Sequence, residues 1–221
     1  MKKWMSVLVA IMLVLSMTTA FAADVPSKTT SDLADVVAIE TSTDVAVAPD
    51  FVVEVVDDTT MTLEEVDELF EYVAEEGNAP IDYFDEDVQA AILESLNENL
   101  PATSALVLDD LKNWEINEFL TIDSTGYDPK YGDVTVTFEF ATPYQVGQKV
   151  VGLLACYDGT RTEIAPNQFK FNAEWLVLDA EVIEADETSS KVNVTFTKDD
   201  FEKMTHSVST ALAILSEPIK E

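Results

Sequence analysis

From Trp114 onward, apolar and polar residues alternate. Val134, Val136, Phe138 and Phe140 are separated by Thr135, Thr137 and Glu139, the period-2 pattern of a half-buried strand. Gly147 marks the turn into a strand over 149–157, apolar throughout and so expected to be central. Asp158-Gly159 follows as a hairpin turn. Further strands are expected at 169–172, 174–184 and 190–197, with Val192, Val194 and Phe196 on one face. Thr197 caps a short helix through Met204, and Ala211 to Leu215 makes a last strand.

Upstream the period is 3.6. Thr62 and Glu65 form a capping box ahead of Leu63, Val66, Leu69, Phe70 and Val73, and Gly77 stands at the C-terminal cap position. Asp85 caps a second helix with Glu86 and Asp87 in its first turn, an apolar face of Val88, Ala91, Ile92 and Leu96, and Pro101 at its end. The fold class predicted is α+β: an N-terminal helical hairpin, then an antiparallel immunoglobulin-like β-sandwich of about seven strands. The Cys–Trp–Cys core of antibody domains is missing, so that comparison concerns architecture alone.

Residues 23–58 break both periods. They are rich in Asp, Thr, Ser, Val and Ala, are interrupted by Pro26 and Pro49, and contain one basic residue, Lys28. Most of this segment reads as a flexible acidic spacer. Phe51 to Val56 is β-prone and apolar, and is expected to dock as a strand on the folded part or on a neighbouring molecule. Residues 1–22 carry Lys2 and Lys3, an uncharged run from Trp4 to Leu15, and Ala20-Phe21-Ala22, the pattern of a secretory signal peptide. The run is too short for a comfortable membrane span, and no second one follows. The expected organisation is a signal peptide (1–22), an acidic spacer (23–58), a helical region (59–112) and a β-sandwich domain (113–217). The expected location is secreted or extracytoplasmic.

Charge narrows the partners. The formal net charge is −31, and removal of Lys2 and Lys3 with the leader makes it about −33. Phosphate backbones and anionic membranes are repelled, so nucleic acid is excluded as a partner class, while cations and basic proteins are favoured. The carboxylates equally serve solubility. The single cysteine, Cys156, forms no internal disulfide and sits in an apolar run, as a buried core residue does.

The segment Thr137-Phe138-Glu139-Phe140-Ala141-Thr142-Pro143-Tyr144, the run Gly147-Gln148-Lys149-Val150 and the tail Thr210 to Glu217 resemble secreted proteins of anaerobic Gram-positive bacteria with an immunoglobulin-like C-terminal sandwich. The resemblance covers roughly residues 60–217. It implies export and a sandwich, and brings no activity with it.

Catalytic side chains are few. His206 is the only histidine and is expected in a polar loop, while Cys156 lies in an apolar strand where a thiol is unreactive, so a Cys–His nucleophile pair is not expected. A Gly-x-Ser-x-Gly elbow is missing, and one His with one Cys does not make an ordinary zinc site. Carboxylate pairs suited to glycoside hydrolysis would arise by chance among 43 acids. The loop 123–133 offers Asp123, Asp128 and Asp133 as calcium ligands, or as ordinary turn residues, and it is not an EF-hand. Tyr127, Tyr131 and Tyr144 either form a recognition surface or plug the ends of the sandwich or cover the helical hairpin. Trp114 and Trp175 read as core residues.

No catalytic residue or organic cofactor is assigned; calcium is the one cofactor considered. These features point to a secreted, non-enzymatic binding or surface-interaction module for an extracellular protein or glycan. Two alternatives are a small carboxylate-dependent extracellular hydrolase and an assembly protein that self-associates by strand addition through Phe51 to Val56.

Overall fold

A computed structural model describes residues 27–28, 34–56, 69, 72–75, 77–98, 100–166 and 168–218. The expected leader and most of the expected first helix, 62–77, lie outside these residues; Leu69 and residues 72–74 are helical.

The strands are β1 (Ser27–Lys28), β2 (Ala34–Thr41), β3 (Val52–Val55), β4 (Glu115–Thr125), β5 (Val134–Phe140), β6 (Val150–Ala165), β7 (Gln168–Ala185), β8 (Ser190–Phe196) and β9 (Ser209–Ser216). Two α-helices, α1 (Glu86–Asn97) and α2 (Lys198–His206), and four short 3-10 turns complete the described elements. Both helices start as their sequences dictate. Asp85 accepts the Val88 N–H at 3.0 Å, and Thr197 and Asp200 form a reciprocal capping box.

All nine strands belong to one sheet in the order β1-β4-β9-β6-β7-β8-β5-β2, with β3 also paired to β4. Every pairing is antiparallel except the short β1–β4 contact. The sheet curls until β2 approaches β3, so it forms a nearly closed barrel. The expected two-sheet sandwich is therefore corrected. Alternation specifies which side of a strand is buried. It does not distinguish packing against a second sheet from packing against the far wall of the same sheet.

The inner face is filled by side chains. Leu120 and Ile122 of β4, Val134 to Phe140 at alternate positions of β5, Leu154 of β6, Leu178 and Val182 of β7, Val192 to Phe196 of β8 and Leu212 and Ile214 of β9 are all buried there. One end is closed by α2, through Phe201 and Met204, together with Tyr131 and Phe51. The other end is closed by Tyr144, whose ring meets Phe140 edge-on at 6.2 Å.

β9 is buried along its whole length because its outer face is covered too. Leu69, Ile81, Phe84, Ile92 of α1 and Leu111 pack there against Trp114, Phe119, Val151, Leu153, Ala213 and Leu215. The described residues of 59–112 thus form a layer on the outer face of the barrel, and no independent helical hairpin stands among them. The apolar stripe of α1 is buried against the sheet. Trp114 is buried in this layer, and Trp175 joins it with its ring 5.2 Å from Phe84.

Two expectations about connections also change. β2, expected within the flexible spacer, is a strand of the barrel, and β3 lies in the Phe51 to Val56 stretch that was expected to dock as a strand. Asp158-Gly159 does not turn the chain; β6 runs on to Ala165, and the register to β7 shifts between Tyr157 and Arg161. A positive-φ glycine suits a bulge as well as a turn.

Candidate functional site

Of the expected loop 123–133, Asp123 belongs to β4 and only residues 126–133 join β4 to β5; the singled-out residues have particular partners. The Asp123 carboxylate accepts the Ser124 N–H at 2.7 Å. Asp128 caps the turn Pro129–Tyr131 by accepting the Lys130 N–H at 3.0 Å, and pairs with Lys130 Nζ at 2.6 Å. These hydrogen bonds hold its carboxyl below the usual range. Asp133 accepts the Lys198 N–H at the start of α2, at 2.9 Å. Among the described residues, no three His, Cys, Asp or Glu side chains come together in a group that could hold a metal ion.

The tyrosines are at the barrel ends. Tyr131 and Tyr144 are each 1% exposed, so the recognition surface they would share is absent and the plugging arrangement is found. Tyr131 stacks on Phe51 at 5.3 Å, and its hydroxyl accepts the Ala48 N–H at 3.1 Å. Tyr127 is partly buried 4.5 Å from the Phe201 ring and donates its hydroxyl to the Gly132 carbonyl. Large aromatics fill a barrel mouth because each removes much apolar surface from water, and the Tyr127 and Tyr131 hydroxyls also reach a rim carbonyl or amide.

At the Tyr144 end lies a residue that sequence reasoning missed. β4 bulges at Asn117: Ile116 faces the outer layer opposite Leu215, whereas Glu118 pairs with Ile214 and faces inward. Glu118 is 2% exposed. Its carboxylate accepts a hydrogen bond from the Thr142 hydroxyl, and the Thr142 carbonyl accepts one from Ser190 at 2.7 Å. Burial raises the Glu118 pKa from 4.5 to about 7, although the Thr142 bonds oppose the shift. The Tyr144 hydroxyl is buried without a hydrogen-bond partner, and burial followed by the nearby Glu118 charge raises its pKa. The available signal was positional: Glu118 has the same parity as Leu120 and Ile122, which marks an acid among inward-facing positions.

Cys156 and His206 line one cleft of about 410 Å³ with Glu174 and Lys203. Cys156 is nevertheless buried, and desolvation pushes its thiol up to about 11, which keeps it protonated at neutral pH. His206 Nδ1 lies 2.6 Å from the Glu202 carbonyl of its own helix. Lys203 is bonded to Glu174. The cleft gathers the two residue types of a nucleophilic pair but holds the thiol in its unreactive form.

A further concavity is on the outside. A groove of about 540 Å³ runs between α1 and the polar outer face of β5, β7 and β8. Its carboxylates come from two strands and a helix end: Glu40 of β2, Glu98 after α1, and Asp179 and Glu181 of β7. Lys149 is the one cationic residue in its lining. The floor is uncharged, with Thr135 and Thr195 hydroxyls 3.1 Å apart across β5 and β8. Ser95 of α1 donates to Asp179 at 2.6 Å and fixes the helix over the sheet. None of these residues stands out in a sequence with 43 acids, because the groove is assembled from positions 40 to 195. The chain matches no family model, no curated protein and no solved structure.

Proposed function

We propose that the protein is an exported, non-enzymatic interaction module whose outer groove receives a Lys- or Arg-rich segment of an extracellular partner. The observation that carries this reading is the groove itself. Four carboxylates surround a concave, polar floor, with a single lysine among them. A basic side chain entering between them gains Coulomb attraction, while the Thr and Asn side chains of the floor take its hydrogen bonds. Export follows from Lys2-Lys3, the apolar run and Ala20-Phe21-Ala22.

The test is a titration with a short oligolysine peptide at two ionic strengths. Binding that weakens as salt rises is expected, since charge pairs at a surface are screened over about 10 Å. The variant Glu98→Gln/Glu181→Gln should lower affinity by about tenfold, or about 1.4 kcal/mol. The control Glu187→Gln/Asp199→Asn removes the same charge outside the groove and should leave affinity within about twofold. Equal loss in both variants would mean attraction to the overall charge and no groove-specific binding.

A further inference from the structure

One stretch of chain covers both free edges of the remaining sheet. Strands β4 to β9 run without interruption as β4-β9-β6-β7-β8-β5, all from residues 115–216. Their two outermost members are β4 and β5. β2 lies on β5, and β3 lies on β4 beside the short β1. Residues 34–56 are thus the stave that closes the barrel.

The seat of this stave is specific in shape. Gly126 and Gly132, both at positive φ, leave room for it: a Cβ at Gly126 would stand 2.2 Å from the Asp50 carbonyl oxygen, and one at Gly132 would stand 2.4 Å from Ser42 Oγ. Ser42 and Asp133 exchange two hydrogen bonds of 2.9 Å, one through the Ser42 hydroxyl, and Thr43 donates to the Lys130 carbonyl at 3.1 Å. Phe51, 4% exposed, is held by Tyr127, Tyr131 and Phe201.

The same seat is poor in charge. Asp35 lies directly opposite Glu139, and Glu54 directly opposite Asp123. Like charges in directly opposed positions destabilise a strand pair. Lys191 flanks Glu139 on its other side but is bonded to Glu184. Each edge of the stave therefore carries a repulsive carboxylate pair, in contrast to its apolar inner face.

We propose that residues 34–56 are an exchangeable stave, and that the partner they fit is a second copy of this chain, whose barrel they close. A stave from either copy makes the same ladders and the same Phe51 contacts, so the two closures differ only in the connection. That connection comprises residues 57–68. The carboxylate pairs lower the cost of opening. Once open, Phe51 and Val53 and the bare edges of β4 and β5 seek the partners they have lost. This inference does not depend on the groove.

The test uses thiol crosslinking in a Cys156→Ala background. Glu54 and Asp123 are both exposed and directly paired. The double variant Glu54→Cys/Asp123→Cys should crosslink within one chain when treated with a short thiol-to-thiol reagent. Equimolar Glu54→Cys and Asp123→Cys single variants, incubated together without denaturant, should form a covalent heterodimer. Its yield should exceed by about tenfold that of a control mixture in which Lys112→Cys replaces Asp123→Cys. A heterodimer yield no higher than the control, with the double variant crosslinking internally, overturns the proposal. Failure of the double variant to crosslink internally overturns the assigned seat and the proposal with it.

Discussion

Glu118 keeps a proton in the folded barrel up to about pH 7, whereas in the unfolded chain it releases that proton near 4.5. Across that window the native state binds a proton that the unfolded state lacks, so this residue makes stability fall as pH rises and level off above about 7. The whole effect amounts to about 3 kcal/mol for a side chain this deeply buried. The groups that bear on it are the Thr142 hydroxyl, the unpartnered Tyr144 hydroxyl and, through Tyr144, the Glu115 carboxylate. Glu118→Gln removes the titration while keeping the shape. Urea unfolding at pH 5 and pH 8 should show the parent losing more stability than the variant over that interval. Equal losses in both would show that Glu118 ionises freely in the native state. Asp128, Asp158 and Asp186 act in the opposite direction, since hydrogen bonds hold their carboxyls low. Their contribution is lost as pH falls below the usual carboxylate range, and it is common to parent and variant.

At the scale of elements, what local pattern determines was legible and what closure determines was not. The alternation of Val134 to Phe140 and of Val192 to Phe196 marked β5 and β8, and Asp85 and Thr197 marked the starts of α1 and α2. Phe51 to Val56 was legible as a β-prone stretch and supplies β3, whereas β2 was hidden because only one face of the strand is apolar. Outward Asp35, Glu40 and Glu54 give the segment a spacer's composition, and a bulge at Val37 breaks the period while keeping Val36 and Ile39 turned to the core. Of the candidate site residues, Asp128 and Asp133 lie in the expected loop while Asp123 lies in β4, and the seat of the stave was not legible because it requires knowing that Ser42 and Asp50 arrive there. Two substitutions distinguish a stave from a spacer. Phe51→Ala should cost about 3–5 kcal/mol, as deletion of a buried aromatic does. Glu54→Lys should stabilise by about 0.2–1 kcal/mol by turning the repulsion of Asp123 into attraction. Calorimetric unfolding checks both, and no change in either variant would contradict a structural role for residues 34–56.

For the whole molecule, the barrel interior is occupied by its own side chains, and the exposed chemistry is overwhelmingly acidic. On the proposed reading a partner meets the outer surface, where α1 and the sheet form a groove of about 540 Å³. The helical layer covers β4, β9 and β6 and leaves the polar faces of β5 and β8 open, so the same packing that buries Ile92 also creates the groove wall. Charge supplies attraction at a distance and concave shape selects where the partner rests. The most direct test of this account is a map of backbone amide NMR shifts during titration with oligolysine. The account predicts shifts confined to the groove lining around residues 95–98, 147–150, 179–182 and 193–195. Shifts spread evenly over the acidic surface, or gathered at the 123–133 loop, would contradict it.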